Sequence, residues 1–328
     1  MLDRYFPVYV LTFFAVLVLT VLVEIRLIPA LSKTAKQPIY EDGPKWHMKK
    51  SGTPTMGGLA FLFAVFCASV FGVLFLYLSG DHDGALSLSV NFAFAFANAT
   101  VGVVDDLTKL HRHKNEGLTP TEKLIFQFAI AIGFLLLRRT LLGETTTVAF
   151  AFGHVDLGFF YYPICLLLLV GIINFANLTD GIDGLAASVA FGIGVSLFYI
   201  SAALSGEVSF LAATMMGASM GFLFFNLHPA KIFMGDTGSL FFGALAASSV
   251  FSLGNPLLIL PIGGVYILEG LSVVLQVLFF KMTKRRLFRM APLHHHFEKC
   301  GWPENRICLA AIFLTLLFSL PAYILYLP

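Results

Sequence analysis

The sequence predicts an all-α polytopic membrane protein with ten transmembrane helices, both termini extracytoplasmic and a short external hairpin near 144–158. Three observations predict it. Of 328 residues, 58% are hydrophobic and only 12% are charged, with a mean hydropathy of +0.85. A soluble domain of that length has no interior large enough for so much apolar surface, so its main solvent must be lipid. Ten stretches approach the roughly 20 apolar residues that a spanning helix needs. Lys and Arg then sort to one side of those ten stretches.

The first stretch, 5–31, contains Glu24 and Arg26 and no small-residue cleavage pattern, so it is a retained helix and not a signal peptide. The second, 57–79, follows the Gly/Pro-punctuated loop KSGTPTMGG. The third, 86–104, ends at Asp105-Asp106, and the fourth, 123–142, opens at Lys123. Between the fourth and the fifth, 157–176, ETTTVAFAFGHVDLG alternates Val148, Phe150 and Phe152 with small or polar positions ahead of a Gly-His turn, which reads as a hairpin. The sixth, 184–204, follows NFANLTDGIDG; the seventh is 208–226; the eighth, 237–254, opens with FMGDTGSL. The ninth, 257–280, runs into the basic stretch KMTKRRLFRM, and the tenth, 307–327, follows PLHHHFEKCGW. No long polar linker and no internal repeat divides the chain, so residues 1–328 form one domain. The four cysteines fit no metal spacing and read as reduced packing residues.

With ten spans, the connectors 32–56, 105–122, 177–183, 227–236 and 281–306 share a side. They and Lys123 hold every Lys and Arg of the 21 except Arg4, Arg26, Arg138 and Arg139. The positive-inside rule makes that side cytoplasmic, with Arg138-Arg139 as the discordant pair outside. Asp105, Asp106, Asp180, Asp183 and Asp236 all fall on the cytoplasmic side. Carboxylates at bilayer depth are expensive and mark function. Five on one face suit a divalent cation and a phosphorylated substrate.

Asp105-Asp106 sits where the third span ends, and a helix C-terminus disfavours two adjacent negative charges. A metal or Lys109 would offset that cost. Asn177, Asp180 and Asp183 recur every third residue, so one helical face could present all three to a ligand. Asp183 and Asp236 each stand where an N-cap would, which is the alternative reading of both. Asp236, flanked by Gly235 and Gly238, also opens a helix N-terminus suited to anions. Lys50, Thr53 and Thr55 lie on the loop before the second span, and Lys123 and Gln127 share a helical face. Three consecutive imidazoles, His294, His295 and His296, do not easily face one metal. They suit proton transfer or hydrogen bonding to phosphate or carboxylate, which makes His294 a candidate catalytic group. The basic stretch 281–289 suits anionic lipid headgroups or attraction of an anionic substrate.

GTPTMGG, VDDLTK, NLTDGIDGLA, MGDTGSL and PLHHHFE, in this order, resemble the phospho-N-acetylmuramoyl-pentapeptide transferases of the polyprenyl-phosphate HexNAc-1-phosphate transferase superfamily. The resemblance runs the full length of the chain. It implies transfer of phospho-MurNAc-pentapeptide from UDP to undecaprenyl phosphate in the bacterial inner membrane, giving lipid I and UMP. It also implies Mg2+ dependence, an active site on the cytoplasmic face and a homodimer in membrane lipid, with no nucleic-acid partner. By the same resemblance Asp236 is the principal Mg2+ ligand, Asp105 deprotonates or positions the lipid phosphate, and Asp106 supports metal or diphosphate. Gly181, Ile182, Asp183 and Phe233 resemble a uracil pocket. Thr55, Asn177, Asp180 and Gly235 resemble the sugar and diphosphate region. Lys50, Lys109, Lys123 and His294–His296 resemble phosphate and peptide contacts. Two alternatives remain in view. A sister GlcNAc-1-phosphate transferase would share the acidic motifs but not PLHHHFE. An ion-coupled transporter would place acids near the midplane, where only Glu24 and Glu269 lie.

Overall fold

A computed structural model describes residues 5–35, 50, 52–112, 117–150, 152–201 and 206–326. Arg4 and Glu116 therefore lie outside the described residues. In chain order the helices are α1 (Phe6–Thr34), α2 (Gly58–Leu78), α3 (His82–Arg112), α4 (Pro120–Leu141), α5 (Tyr161–Thr179), α6 (Leu185–Ser201) and α7 (Gly206–Asn226). They continue with α8 (Gly235–Ser249), α9 (Ile259–Ile262), α10 (Gly264–Thr283), α11 (Leu293–Lys299) and α12 (Glu304–Tyr326). Strands β1 (Thr147–Phe150) and β2 (Gly153–Asp156) form the expected hairpin, antiparallel with Val148 opposite Val155. Its turn precedes the Gly-His pair, because Gly153 and His154 already belong to β2.

Among the described residues, eight helices are long and apolar enough to cross a membrane: α1 to α5, α7, α10 and α12. The sixth and eighth predicted spans are shorter, α6 with 17 residues and α8 with 15. Both are enclosed by protein. Every residue of α8 from Thr237 to Ser249 is buried. A helix wrapped by other helices has no lipid contact to match, so bilayer thickness does not set its length. The lipid-facing helices show the opposite pattern: α1 exposes Leu11, Phe14, Val18, Leu22 and Ile25 and buries Tyr9, Val16, Thr20 and Glu24.

Two predicted elements differ in ways that matter. Helix α3 does not stop at residue 104 but runs eight residues further, to Arg112. Asp105 and Asp106 are thus two turns inside the helix, and the dipole cost expected at a C-terminus does not apply. Hydropathy marked the end of the apolar surface, not the end of the helix. The ninth span is interrupted. Pro256 and Pro261 lack donors, and Gly263 separates the single turn α9 from α10, which opens at Gly264.

The core of the bundle is the crossing of α3 and α8. A Cβ on Gly102 would come 2.3 Å from the carbonyl oxygen of Asp236, so only glycine permits the approach. That contact sets the acidic pair of α3 directly against the first turn of α8.

Candidate active site

The first turn of α8 is capped across the bundle. Its own N-cap position, Met234, offers no side-chain bond. Instead Asp106 on α3 accepts the Asp236 N–H at 3.1 Å, the Thr237 N–H at 2.9 Å and the Thr237 hydroxyl at 2.7 Å. Both oxygens of Asp106 are thereby engaged in holding α8 in place. Asp236 is not the N-cap: it stands in the first turn, with its side chain free to face the site.

Two lysines close the cluster. Lys109 Nζ lies 2.6 Å from Asp105 Oδ2, 3.0 Å from Asp236 Oδ1 and 3.8 Å from Asp106 Oδ1. Lys123 Nζ, one residue past the Thr119 capping box of α4, is 3.0 Å from Asp105 Oδ1 and also pairs with Asp236. Asp105 further accepts the Leu118 N–H at 2.8 Å. Carboxylate oxygens from Asp105, Asp106 and Asp236 lie within 4.8 Å of one another. Three carboxylates against two ammonium groups leave a net negative charge, held by hard oxygen donors. That donor set fits Mg2+. Thr55 is buried beside the same corner, since a Cβ on Gly235 would stand 2.4 Å from Asp106 Oδ2 and 3.1 Å from Thr55 Oγ1.

Asn177, Asp180 and Asp183 do not share a helical face. Helix α5 ends at Thr179, and the turn 180–184 bends into α6. Asn177 donates to Ser239 Oγ of α8 at 2.8 Å. Asp180 follows as the C-cap. Burial, then the charges of Asp236, Asp106 and Asp183, push its carboxyl up to about 8. Asp183 is not an N-cap either: it belongs to a second cluster. Lys50 Nζ is 2.7 Å from Asp183 Oδ1 and 2.7 Å from Glu304 Oε2, while His228 Nδ1 is 2.9 Å from Asp183 Oδ2. Ile182 is buried within this turn. Phe233 is half-buried and clasps the loop before α2, donating its N–H to Pro54 O at 2.8 Å and accepting from Gly57 N at 2.9 Å.

The three consecutive histidines face three ways. His294 is buried, 3.1 Å from Glu269 Oε2 through Nδ1, and its Nε2 lies 2.3 Å from where a Cβ on Gly181 would stand. His295 Nδ1 is 2.6 Å from Glu298 Oε2, and His296 Nδ1 accepts the Arg289 N–H at 3.1 Å. Gln127 lies one turn deeper than Lys123 and accepts from Asn174 Nδ2 at 2.7 Å. It is buried.

Sequence reasoning missed Glu304, His228 and the pairing of Glu269 with His294. HPAK at 228–231 and PENR at 303–306 lay in connectors already assigned to the acidic side, which was the available signal.

Residues 88–254 match glycosyl transferase family 4, and residues 50–62 match signature 1 of the phospho-N-acetylmuramoyl-pentapeptide-transferases. The chain is 41% identical over 325 residues to the phospho-N-acetylmuramoyl-pentapeptide-transferase of Halalkalibacterium halodurans, with 98% of each chain covered. It is 42% identical over 287 residues to the protein of the same name from Caldicellulosiruptor bescii, with 87% of each covered. The one from Clostridioides difficile is 39% identical over 289 residues, with 86% of each covered. The two matched windows contain Lys50, Lys109, Lys123 and all five aspartates discussed above. Glu269, His294 and Glu304 lie beyond them.

Proposed function

We infer this chain's reaction from its family: it belongs to the phospho-N-acetylmuramoyl-pentapeptide transferases and transfers phospho-MurNAc-pentapeptide from UDP to a lipid phosphate. The acceptor is undecaprenyl phosphate, and the products are lipid I and UMP. The observation that carries the reading is the meeting of Asp105, Asp106 and Asp236 with Lys109 and Lys123 at one end of an apolar bundle.

One substrate is a phosphate on a membrane lipid and the other a soluble nucleotide, so the chemistry belongs at the bilayer edge. Phosphoryl transfer between two anions needs charge neutralisation and alignment more than covalent help. Lys109 and Lys123 supply two fixed positive charges. Asp105, braced by both lysines and by the Leu118 N–H, is placed to orient the lipid phosphate or take its proton. Asp106 fixes the first turn of α8, and with it Asp236. A bound Mg2+ would neutralise diphosphate oxygens, with Asp236 as its principal ligand and Asp105 and Asp106 beside it. His294, oriented by Glu269, offers Nε2 toward the 180–184 turn, where it can donate to or accept from a bound phosphate or sugar.

The fuller topology belongs to the same reading. Ten spans, with α6 and α8 as the two enclosed ones, put both termini outside and both charged clusters in the cytoplasm. The bacterial inner membrane and a homodimer complete it. The deciding experiment is Mg2+-dependent UMP release from UDP-MurNAc-pentapeptide by the purified chain, with and without undecaprenyl phosphate. Release that needs both the cation and the lipid supports the reading. Equal or better turnover of UDP-GlcNAc would reassign the chain to the sister branch.

A further inference from the structure

The turn 180–184 joins α5 to α6 with little hydrogen bonding of its own. Its local bonds are Asp180 N to Asn177 O at 3.2 Å, Leu185 N to Ile182 O at 3.3 Å and Ser188 N to Gly184 O at 2.9 Å, and the N–H groups of Asp183 and Gly184 are held from elsewhere in the chain. Gly181 and Gly184 make such a turn costly to order, because glycine loses the most conformational freedom. Asn226 accepts the Gly184 N–H at 3.0 Å, and Cys308 donates to the Asp183 carbonyl at 3.2 Å. The densest restraint is charged. Glu304, on the first turn of α12, accepts the Asp183 N–H at 2.7 Å and also takes the Lys50 ammonium at 2.7 Å. His228 reaches both acids, at 2.9 Å from Asp183 Oδ2 and 3.2 Å from Glu304 Oε1. The Ala230 N–H adds a contact to Asp183 Oδ2 at 3.1 Å.

We propose that Glu304 and His228 are positioning residues for the nucleotide: they lock Lys50 and the 180–184 turn together, so that the nucleotide meets a preformed edge. The proposal rests on the transferase reading and on this turn as the nucleotide side of the site. Glu304 is the pivot because a single carboxylate binds both a backbone donor of the turn and the lysine of a different loop. Without it, the Asp183 N–H loses its acceptor and Lys50 keeps one of its two carboxylate partners. The turn can then shift by an ångström or more while α12 stays anchored through buried Ile307, Cys308 and Ala311. His228 acts on the other side, where it draws the 227–234 segment to Asp183. Of the three groups that could hold a cation here, Asp183, His228 and Glu304, two already share the Lys50 ammonium. The cluster is therefore a clamp in which lysine supplies the positive charge.

A positioning role predicts a specific kinetic split. In the detergent-solubilised full chain, Glu304→Ala should raise KM for UDP-MurNAc-pentapeptide about 10- to 100-fold, the scale of an ångström misplacement, with kcat at saturating nucleotide within about threefold of the parent. KM for undecaprenyl phosphate should not move. Glu304→Gln should lose less than Glu304→Ala, since its amide oxygen still accepts the Asp183 N–H, and it keeps the test available if the alanine variant fails to fold. His228→Ala should shift the same parameter in the same direction. If the parent itself releases no UMP, the transferase reading fails and the proposal goes with it. If the parent is active and Glu304→Gln and His228→Ala leave the nucleotide KM unchanged, the proposal alone is overturned. It is equally overturned if they lower kcat with KM intact, or raise both substrates' KM alike.

Discussion

At one end of the bundle three carboxylates crowd within 4.8 Å of one another around two lysines. At the other end a single buried guanidinium, Arg138, is surrounded by acceptors. Its Nε donates to Glu144 Oε2 at 2.8 Å and its second terminal nitrogen pairs with Glu144 Oε1. Its remaining nitrogen reaches Asn91 Oδ1 at 3.3 Å and Ser252 Oγ at 3.4 Å. The rings of Phe134 and Phe251 lie 5.5 and 5.8 Å from its central carbon. Both regions bury charge, but the first crowds three carboxylates within 4.8 Å of one another, whereas at the second Glu144 pairs with Arg138 directly and Glu207 accepts from Ser87 Oγ at 2.9 Å. The Arg138 network matches donors to acceptors, so it is satisfied without any further partner. The aspartate cluster keeps an excess of negative charge that a cation can neutralise. Burial of charge by itself does not mark a reactive site; carboxylates converging on one point do.

The largest expected effect tests the unmatched end. On the proposed role of Asp236 as Mg2+ ligand, Asp236→Asn should lower single-turnover UMP release about 1,000-fold or more at saturating Mg2+, the scale of several kcal/mol of lost charge neutralisation. The variant should still be extracted as folded protein, since Asp106 caps α8 through backbone N–H groups that the substitution leaves in place. Near-parental rates would sink the assignment of Asp236.

Next in size is Asp105→Asn, expected to cost at least about 100-fold in turnover, the scale of a general base or positioned charge. The loss should persist at saturating nucleotide, because it concerns the lipid phosphate. The informative control comes from the other end. Arg138→Gln should leave the turnover of folded enzyme nearly unchanged and lower its thermal midpoint. The penalty should fall below the roughly 3–5 kcal/mol of a fully buried broken pair, because Glu144 is 27% exposed and can rehydrate. If Arg138→Gln slows single-turnover transfer as much as Asp105→Asn does, the contrast between the two ends collapses.

The same contrast explains what the sequence revealed. Asp105, Asp106 and Asp236 were legible because each stands at the edge of an apolar run, where a charge is conspicuous. Arg138 was equally conspicuous, as one of the discordant pair in the charge asymmetry; the structure pairs it with Glu144 only six residues away, so it is a buried ion-pair member and not a solvated loop charge. Glu304 and His228 were not legible because their partner Asp183 is 121 and 45 residues away, and no local periodicity encodes such a pairing. The break before α10 was readable in Pro261 and Gly263, but a long apolar run concealed it. The extension of α3 to Arg112 escaped for the opposite reason: a polar helix end carries no hydropathy signal.

The smallest effect concerns the residue between the two charged clusters of the active end. Asp180 carries a carboxyl pushed from 3.8 up to about 8, first by burial and then by the negative charges of Asp236, Asp106 and Asp183. In the folded protein it therefore holds a proton that the unfolded chain releases near pH 4. Between those values the unfolded state binds fewer protons, so stability falls as pH rises, and the fall ends once the folded carboxyl has ionised. Stability from this group is fully present below about 4 and lost by the time pH has passed through about 8. Asp180→Asn removes the ionisation and with it the loss. The thermal midpoint of the variant should match the parent at pH 4 and exceed it progressively up to pH 8, in detergent without nucleotide or divalent cation. The Arg138 end supplies the reference: the Arg138→Gln deficit should not follow that window, because Asp180 titrates the same way in both proteins and cancels from the difference. A midpoint gain for Asp180→Asn that is flat from pH 4 to 8 would show that Asp180 is ionised throughout, and that the crowding of the aspartate cluster does not extend across the 180–184 turn.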